Sequence, residues 1–172
     1  MRTVVLQLRL LLLFVPLYFC SSCVGTRNVT QAPLFAQLVQ RPLQIRSEVV
    51  LCKAERPLYY FVTNVLITKA TADYGVNPGP VLCRLKQDST IFIHDFLQHN
   101  YFEGIAYYAI GTIVCENVEY GFVYLYGTMD GAGEISVSRP PWEGDDSPAR
   151  RVISAETGET LRIVDFERRS PE

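Results

Sequence analysis

The chain has 172 residues, with 16 Lys and Arg against 18 Asp and Glu for a formal charge of −2. That length fits one domain of roughly 100–200 residues with a single core. A near-neutral, mixed charge supplies no basic stripe, which excludes nucleic acid as a partner.

Residues 1–25 read as a signal peptide. Arg2 and Arg9 give the positive start, Leu10 to Cys20 is apolar, and the small residues Ser21, Ser22 and Gly25 follow. The apolar run falls short of the roughly 20 residues a spanning helix needs, and Pro16 interrupts it. No later stretch reaches that length, so the sequence predicts no membrane span of its own. Cleavage is expected after Ser22 or Gly25, which places the mature chain in the ER and Golgi. Asn28-Val29-Thr30 is the one N-glycosylation acceptor triplet, so Asn28 is the candidate glycan site.

The cysteines are Cys20, Cys23, Cys52, Cys83 and Cys115. In an oxidising compartment they read as structural staples. Cys52 and Cys83 are the pair expected to join first, closing a loop worth roughly 3–4 kcal/mol in the chain-entropy model. Cys23 and Cys115 are left as a second pair or as free thiols.

From Thr26 to Pro57 the chain is punctuated by Pro33, Pro42 and Pro57 and reads as an extended arm with short strands. Leu58 to Thr68 carries one buried strand or short helix. Asp73 to Pro80 is a turn. Val81 to Leu85 and Thr90 to Ile93 are short strands around Lys86-Gln87-Asp88-Ser89. Asp95 to Gly104 is the helix candidate, with Phe96, Leu97, Asn100 and Tyr101 at helical spacing and Gly104 as its stop. Ile105 to Cys115 and Tyr120 to Met129 are aromatic, β-branched strands. Asp130-Gly131 turns the chain into a third strand, Glu134 to Ser138.

Along Tyr120 to Tyr126 both faces are apolar, so that strand is central or lies at a partner interface. Tyr59, Tyr60, Phe61, Phe122, Tyr124 and Tyr126 are the candidate interface residues. Fourteen of residues 139–172 are Arg, Asp or Glu, and this stretch reads as a charged, mostly flexible tail with Thr160 to Phe166 as a late strand. Trp142 is either a core plug or an interface anchor. The fold class expected is α+β and β-rich: one disulfide-stapled domain over 26–138 with an antiparallel meander, at least one short helix and an exposed C-terminal tail.

No catalytic residue is identified. His94 and His99, five apart, miss the i, i+4 spacing of a helical zinc pair, so no metal is predicted. No nucleophile motif surrounds Cys83 or Cys115, and no phosphate-cradling loop precedes a helix. Asp145-Asp146 is a paired carboxylate in name only, lying in the expected exposed tail. No cofactor and no enzymatic activity are expected, which leaves binding.

Pro33-Leu34-Phe35, Pro42-Leu43 and Val49-Val50-Leu51-Cys52 together resemble the N-terminal region of herpesvirus envelope glycoprotein L, particularly its alphaherpesvirus members. Thr63-Asn64-Val65-Leu66-Ile67, the Cys52 to Cys83 interval, and Ile91-Phe92-Ile93 leading to Phe96-Leu97 extend the resemblance, which spans roughly Pro33 to Gly104. The family's second cysteine pair and its aromatic-strand Trp have no counterpart here. The resemblance implies a non-catalytic subunit that binds the membrane-anchored glycoprotein H, assists its folding and transport, and regulates fusion by glycoprotein B. A host surface receptor would be reached through that complex. The chain would then be peripheral on the virion envelope and host cell surface. The alternative is a freestanding secreted β-rich module that sequesters a ligand or serves immune evasion.

Overall fold

Residues rich in Val, Ile, Tyr and Phe at two-residue spacing demand a pleated surface with one face buried. In the computed structural model, which describes residues 25–54, 64–68, 78–102, 104–129 and 133–164, they form one largely antiparallel sheet. The strands are β1 (Gly25–Asn28), β2 (Pro42–Gln44), β3 (Val49–Ala54), β4 (Asn64–Thr68), β5 (Pro78–Leu85), β6 (Thr90–Tyr101), β7 (Gly104–Cys115), β8 (Val118–Met129), β9 (Glu134–Ser138), β10 (Arg150–Ser154) and β11 (Thr160–Ile163). The main hydrogen-bonded order is β1-β6-β7-β8-β4-β3-β5, with β2 on β6 and a branch β8-β9-β10-β11. One edge of β8 serves two partners: Val123 pairs with Val65 of β4 in parallel, and Gly127 to Met129 pair with β9.

The long hairpins rest on local backbone chemistry. Glu116 and Asn117 both take positive φ, at 51° and 65°, the conformation of a two-residue turn whose twist matches the flanking strands β7 and β8. In mid-strand, a Cβ on Gly111 would fall 2.2 Å from the Phe92 carbonyl oxygen and 2.7 Å from the Phe122 ring. Only glycine lets β6, β7 and that ring approach so closely.

The sheet curls around a single main core to which β2 through β10 all contribute, with Ile45, Val49, Leu51, Ile91, Ile93, Phe96 and Phe122 fully enclosed. One helical turn, α1 (Pro33–Ala36), opens with Pro33, whose fixed φ suits a first helical position, and drives Leu34 and Phe35 into the core. Phe35 stacks on Phe96 with centroids 4.4 Å apart, and Tyr126 meets both rings edge-on at 5.7 and 5.4 Å. Offset-stacked and edge-to-face contacts suit the ring quadrupoles.

The β-rich meander is as expected, but two elements differ. Asp95 to Gly104 is not a helix: β6 runs through to Tyr101 and turns into β7 at Gly104. A bulge between Ile93 and Asp95 re-phases the strand, so consecutive core residues Ile93 and Phe96 lie three apart. The helically spaced Phe96, Leu97, Asn100 and Tyr101 do not share a buried face, since Phe96 and Gln98 are the buried residues here, two apart as in a strand; α1 is the only helix among the described residues. Residues 139–164, expected as a flexible tail, instead carry β10 and β11. Ile153 is 2% exposed in the core, and Trp142 lies over Tyr124 and Tyr126. Of the strand expected over Thr160 to Phe166, Thr160 to Ile163 is a strand, and Asp165 and Phe166 lie outside the described residues. The reversal expected at Asp130-Gly131, most of the turn expected over Asp73 to Pro80 and the expected signal peptide through residue 24 lie outside the described residues.

Candidate partner-binding surface

Asn28 closes the exposed strand β1, and its triplet is stitched to the β6 bulge. The Asn28 side chain accepts from Thr30 N–H at 2.9 Å and donates to Asp95 Oδ1 at 2.8 Å. Thr30 is buried, donates to Asp95 Oδ1 at 3.2 Å, and accepts from Phe96 N–H at 2.9 Å. β1 ends at Asn28, so the Phe96 N–H on that edge of β6 has no further strand partner, and Thr30 Oγ1 supplies the missing acceptor. A glycan on Asn28 Nδ2 would leave one N–H on that nitrogen for Asp95. In unglycosylated protein, Thr30→Ala is expected to cost about 1–3 kcal/mol by orphaning the buried Phe96 N–H, whereas Thr30→Ser keeps the bond. Urea denaturation of the two variants checks this, and equal midpoints would refute it.

The cysteine pairing differs from the expectation. Cys83 of β5 is bonded to Cys115 at the end of β7, with Cα atoms 6.6 Å apart, and Cys52 is a buried free thiol. Strand parity gives the reason. Cys83 lies opposite Leu51, so the next residue, Cys52, projects from the other face of β3. There it joins Val65 and Ile67 in a small second cluster, and burial raises its thiol pKa. Cys115 is therefore neither a free thiol nor a partner for Cys23, which lies outside the described residues.

The aromatic residues offered as an interface separate into two groups. Tyr59, Tyr60 and Phe61 lie outside the described residues. Phe122, Tyr124 and Tyr126 are 0%, 0% and 3% exposed, so they belong to the chain's own core and not to an interface. Their cover is the curl of the sheet together with Trp142, whose ring centroid lies 5.4 Å from Tyr124 and 6.5 Å from Tyr126. The Trp142 loop is held by a two-pronged ion pair between Glu143 and Arg151, its Nη2–Oε1 arm 2.6 Å long.

Burial pushes the Tyr126 phenol up to about 12, with the nearby Arg151 guanidinium opposing. The native state therefore holds this proton more tightly than the unfolded chain, whose tyrosines ionise near 10. Stability from this group is fully present below pH 10 and declines by about 2–3 kcal/mol as pH rises toward 12. Tyr126→Phe is expected to shallow that alkaline decline, measured as urea midpoints between pH 8 and 11.5. An unchanged slope would refute it.

The two histidines sit on β6 with hydroxyl partners: His94 Nε2 is 3.0 Å from Thr112 Oγ1, and His99 Nδ1 is 2.8 Å from Thr26 Oγ1. No group of three potential metal ligands converges among the described residues. What sequence reading missed is an exposed aromatic tip. Phe102 follows Tyr101 in the two-residue connection to Gly104 and is 92% exposed at the end of the β6–β7 hairpin. At the opposite end Val114 and Val118 flank the β7–β8 turn, exposed just above the Cys83–Cys115 bond, and Phe92 lies outward on β6. Among the described strands β5 pairs only with β3 and β11 only with β10, so each presents an open edge. The available signal was the short Phe102-Glu103 link between two strands, hidden by reading that stretch as helix. No protein-family model, curated protein or solved structure matches this chain.

Proposed function

We propose that this chain is a non-catalytic β-domain of the secretory route that works by docking on another protein, and that its partner is the membrane-anchored glycoprotein H of a viral fusion complex. The observation that carries the binding role is Phe102, a large aromatic side chain held almost wholly in solvent on a two-residue turn. Rigid aromatic anchors of this kind supply interface hot spots. The glycoprotein L resemblance names the partner. In that setting the chain assists glycoprotein H in folding and transport, regulates fusion by glycoprotein B, and stays on the envelope through its partner. The resemblance has lost one support, since Cys83 bonds Cys115 and not Cys52.

A second reading, the freestanding secreted binding module, is favoured by a specific observation. Phe122, Tyr124 and Tyr126 are covered by the chain itself, so its core does not need a partner to close. Expression with and without the glycoprotein H of the same virus separates the two. The first reading expects co-secretion as a heterodimer, with Phe102→Asp weakening the complex at least about tenfold at unchanged thermal midpoint. Efficient secretion alone as a soluble monomer that ignores glycoprotein H would sink it in favour of the second.

A further inference from the structure

The outer face of β8 to β11 carries a pocket unrelated to the Phe102 tip. Ile135, Val137 and Ile153 point into the core, so the alternate residues of β9 and β10 point outward. Register brings Thr128, Ser136, Val152 and Arg162 into one row across four strands. Glu134 and Arg150 stand on opposite sides of that row, each two residues along its strand. Val164, whose N–H donates to the Arg150 carbonyl at 3.0 Å, completes the wall of a pocket of about 260 Å³.

Its chemistry is specific in kind. Arg150 donates through Nε to Ser136 Oγ at 3.0 Å, a bond that does not use its terminal Nη pair. Arg162 meets Glu134 at 3.0 Å, but their side chains are 64% and 40% exposed, so water already competes for that contact and an incoming anion can too. Two guanidinium groups against one carboxylate make the lining net cationic. A guanidinium fork matches a carboxylate or sulfate group. Glu134 and the Thr128 and Ser136 hydroxyls can then meet ring hydroxyls, while Val152 offers an apolar floor. A bare anion would leave the carboxylate and valines unused. An extended peptide would need a trough along the strands, whereas the lining of this pocket runs across four of them, from Thr128 to Arg162.

We infer that this pocket binds one acidic sugar residue at the end of a glycan. The site is independent of the partner-docking role and adds a carbohydrate-binding activity to it. The test is titration of the full mature chain, its own glycan removed, with sialyllactose, 3′-sulfated lactose, lactose and inorganic sulfate, followed by ligand-observed NMR and calorimetry. Binding of one or both acidic sugars, absent for lactose, supports the assignment; which of the two binds tells carboxylate from sulfate. Arg150→Gln is expected to weaken binding about tenfold or more, as loss of a charge-assisted bond does. Should that variant misfold by circular dichroism, Arg162→Gln at its more exposed position takes its place. Phe102→Asp should leave sugar binding intact. Equal binding of lactose, an equally strong response to inorganic sulfate alone, no sugar binding, or indifference to the arginine substitutions would each overturn the inference.

Discussion

Deletion of residues 139–172 is expected to unfold the domain, although composition alone marks that stretch as dispensable. The deletion strips Ile135 and Val137, both 0% exposed, of their β10 neighbours and removes Val152 and Ile153 outright. It also uncovers Tyr124 and Tyr126 by taking away Trp142. Exposing several large apolar side chains at roughly 1.5–3 kcal/mol each exceeds much of the 5–15 kcal/mol that holds an ordinary domain together. A narrower version isolates the plug. Trp142→Ala should cost about 2–4 kcal/mol, below the full-burial value because the ring is partly exposed. Trp142 is the sole tryptophan, so this variant is followed by far-ultraviolet circular dichroism and the parent by fluorescence as well. A truncated chain that stays monomeric and melts cooperatively within a few degrees of the parent would refute the argument.

The same stretch shows where sequence reading works and where it stops. β7 and β8 are legible because they are dense in aromatic and β-branched residues, and β9 because Ile135 and Val137 alternate with polar residues after a turn-forming Asp-Gly. The second half of β6 is hidden because Phe96, Leu97, Asn100 and Tyr101 happen to fall at helical spacing, although only Phe96 of the four is buried. The final segment is hidden by its charges, which suggest a solvated chain. In the fold they neutralise one another: Arg151 with Glu143, Arg162 with Glu134, Arg139 with Asp145. Each pair lets a polar stretch lie against the sheet while Ile153 goes inward. The candidate surface was less legible than the fold. Aromatic residues signal burial by default, and only the position of Phe102 on a turn separates it from Phe122.

The second large effect concerns the disulfide. Cys83→Ala with Cys115→Ala is expected to destabilise the protein by about 3–4 kcal/mol, as the chain-entropy model gives for a closed loop with a separation of 32 residues. Cys52→Ala should cost about 1 kcal/mol, since it removes one small buried group from a satellite cluster and breaks no bond. The contrast decides between two topologies. A Cys52–Cys83 bond would join adjacent strands already hydrogen-bonded to each other, adding little constraint to the native sheet. The Cys83–Cys115 bond joins β5 to β7, which are separated by β8, β4 and β3 in the sheet order, and so holds the curl itself. It also anchors the root of the β7–β8 turn that displays Val114 and Val118. Non-reducing peptide mapping of the parent should return the Cys83–Cys115 peptide pair with Cys52 alkylated only after unfolding. Recovery of a Cys52–Cys83 pair, or a larger loss of stability from Cys52→Ala than from the double variant, would overturn this topology.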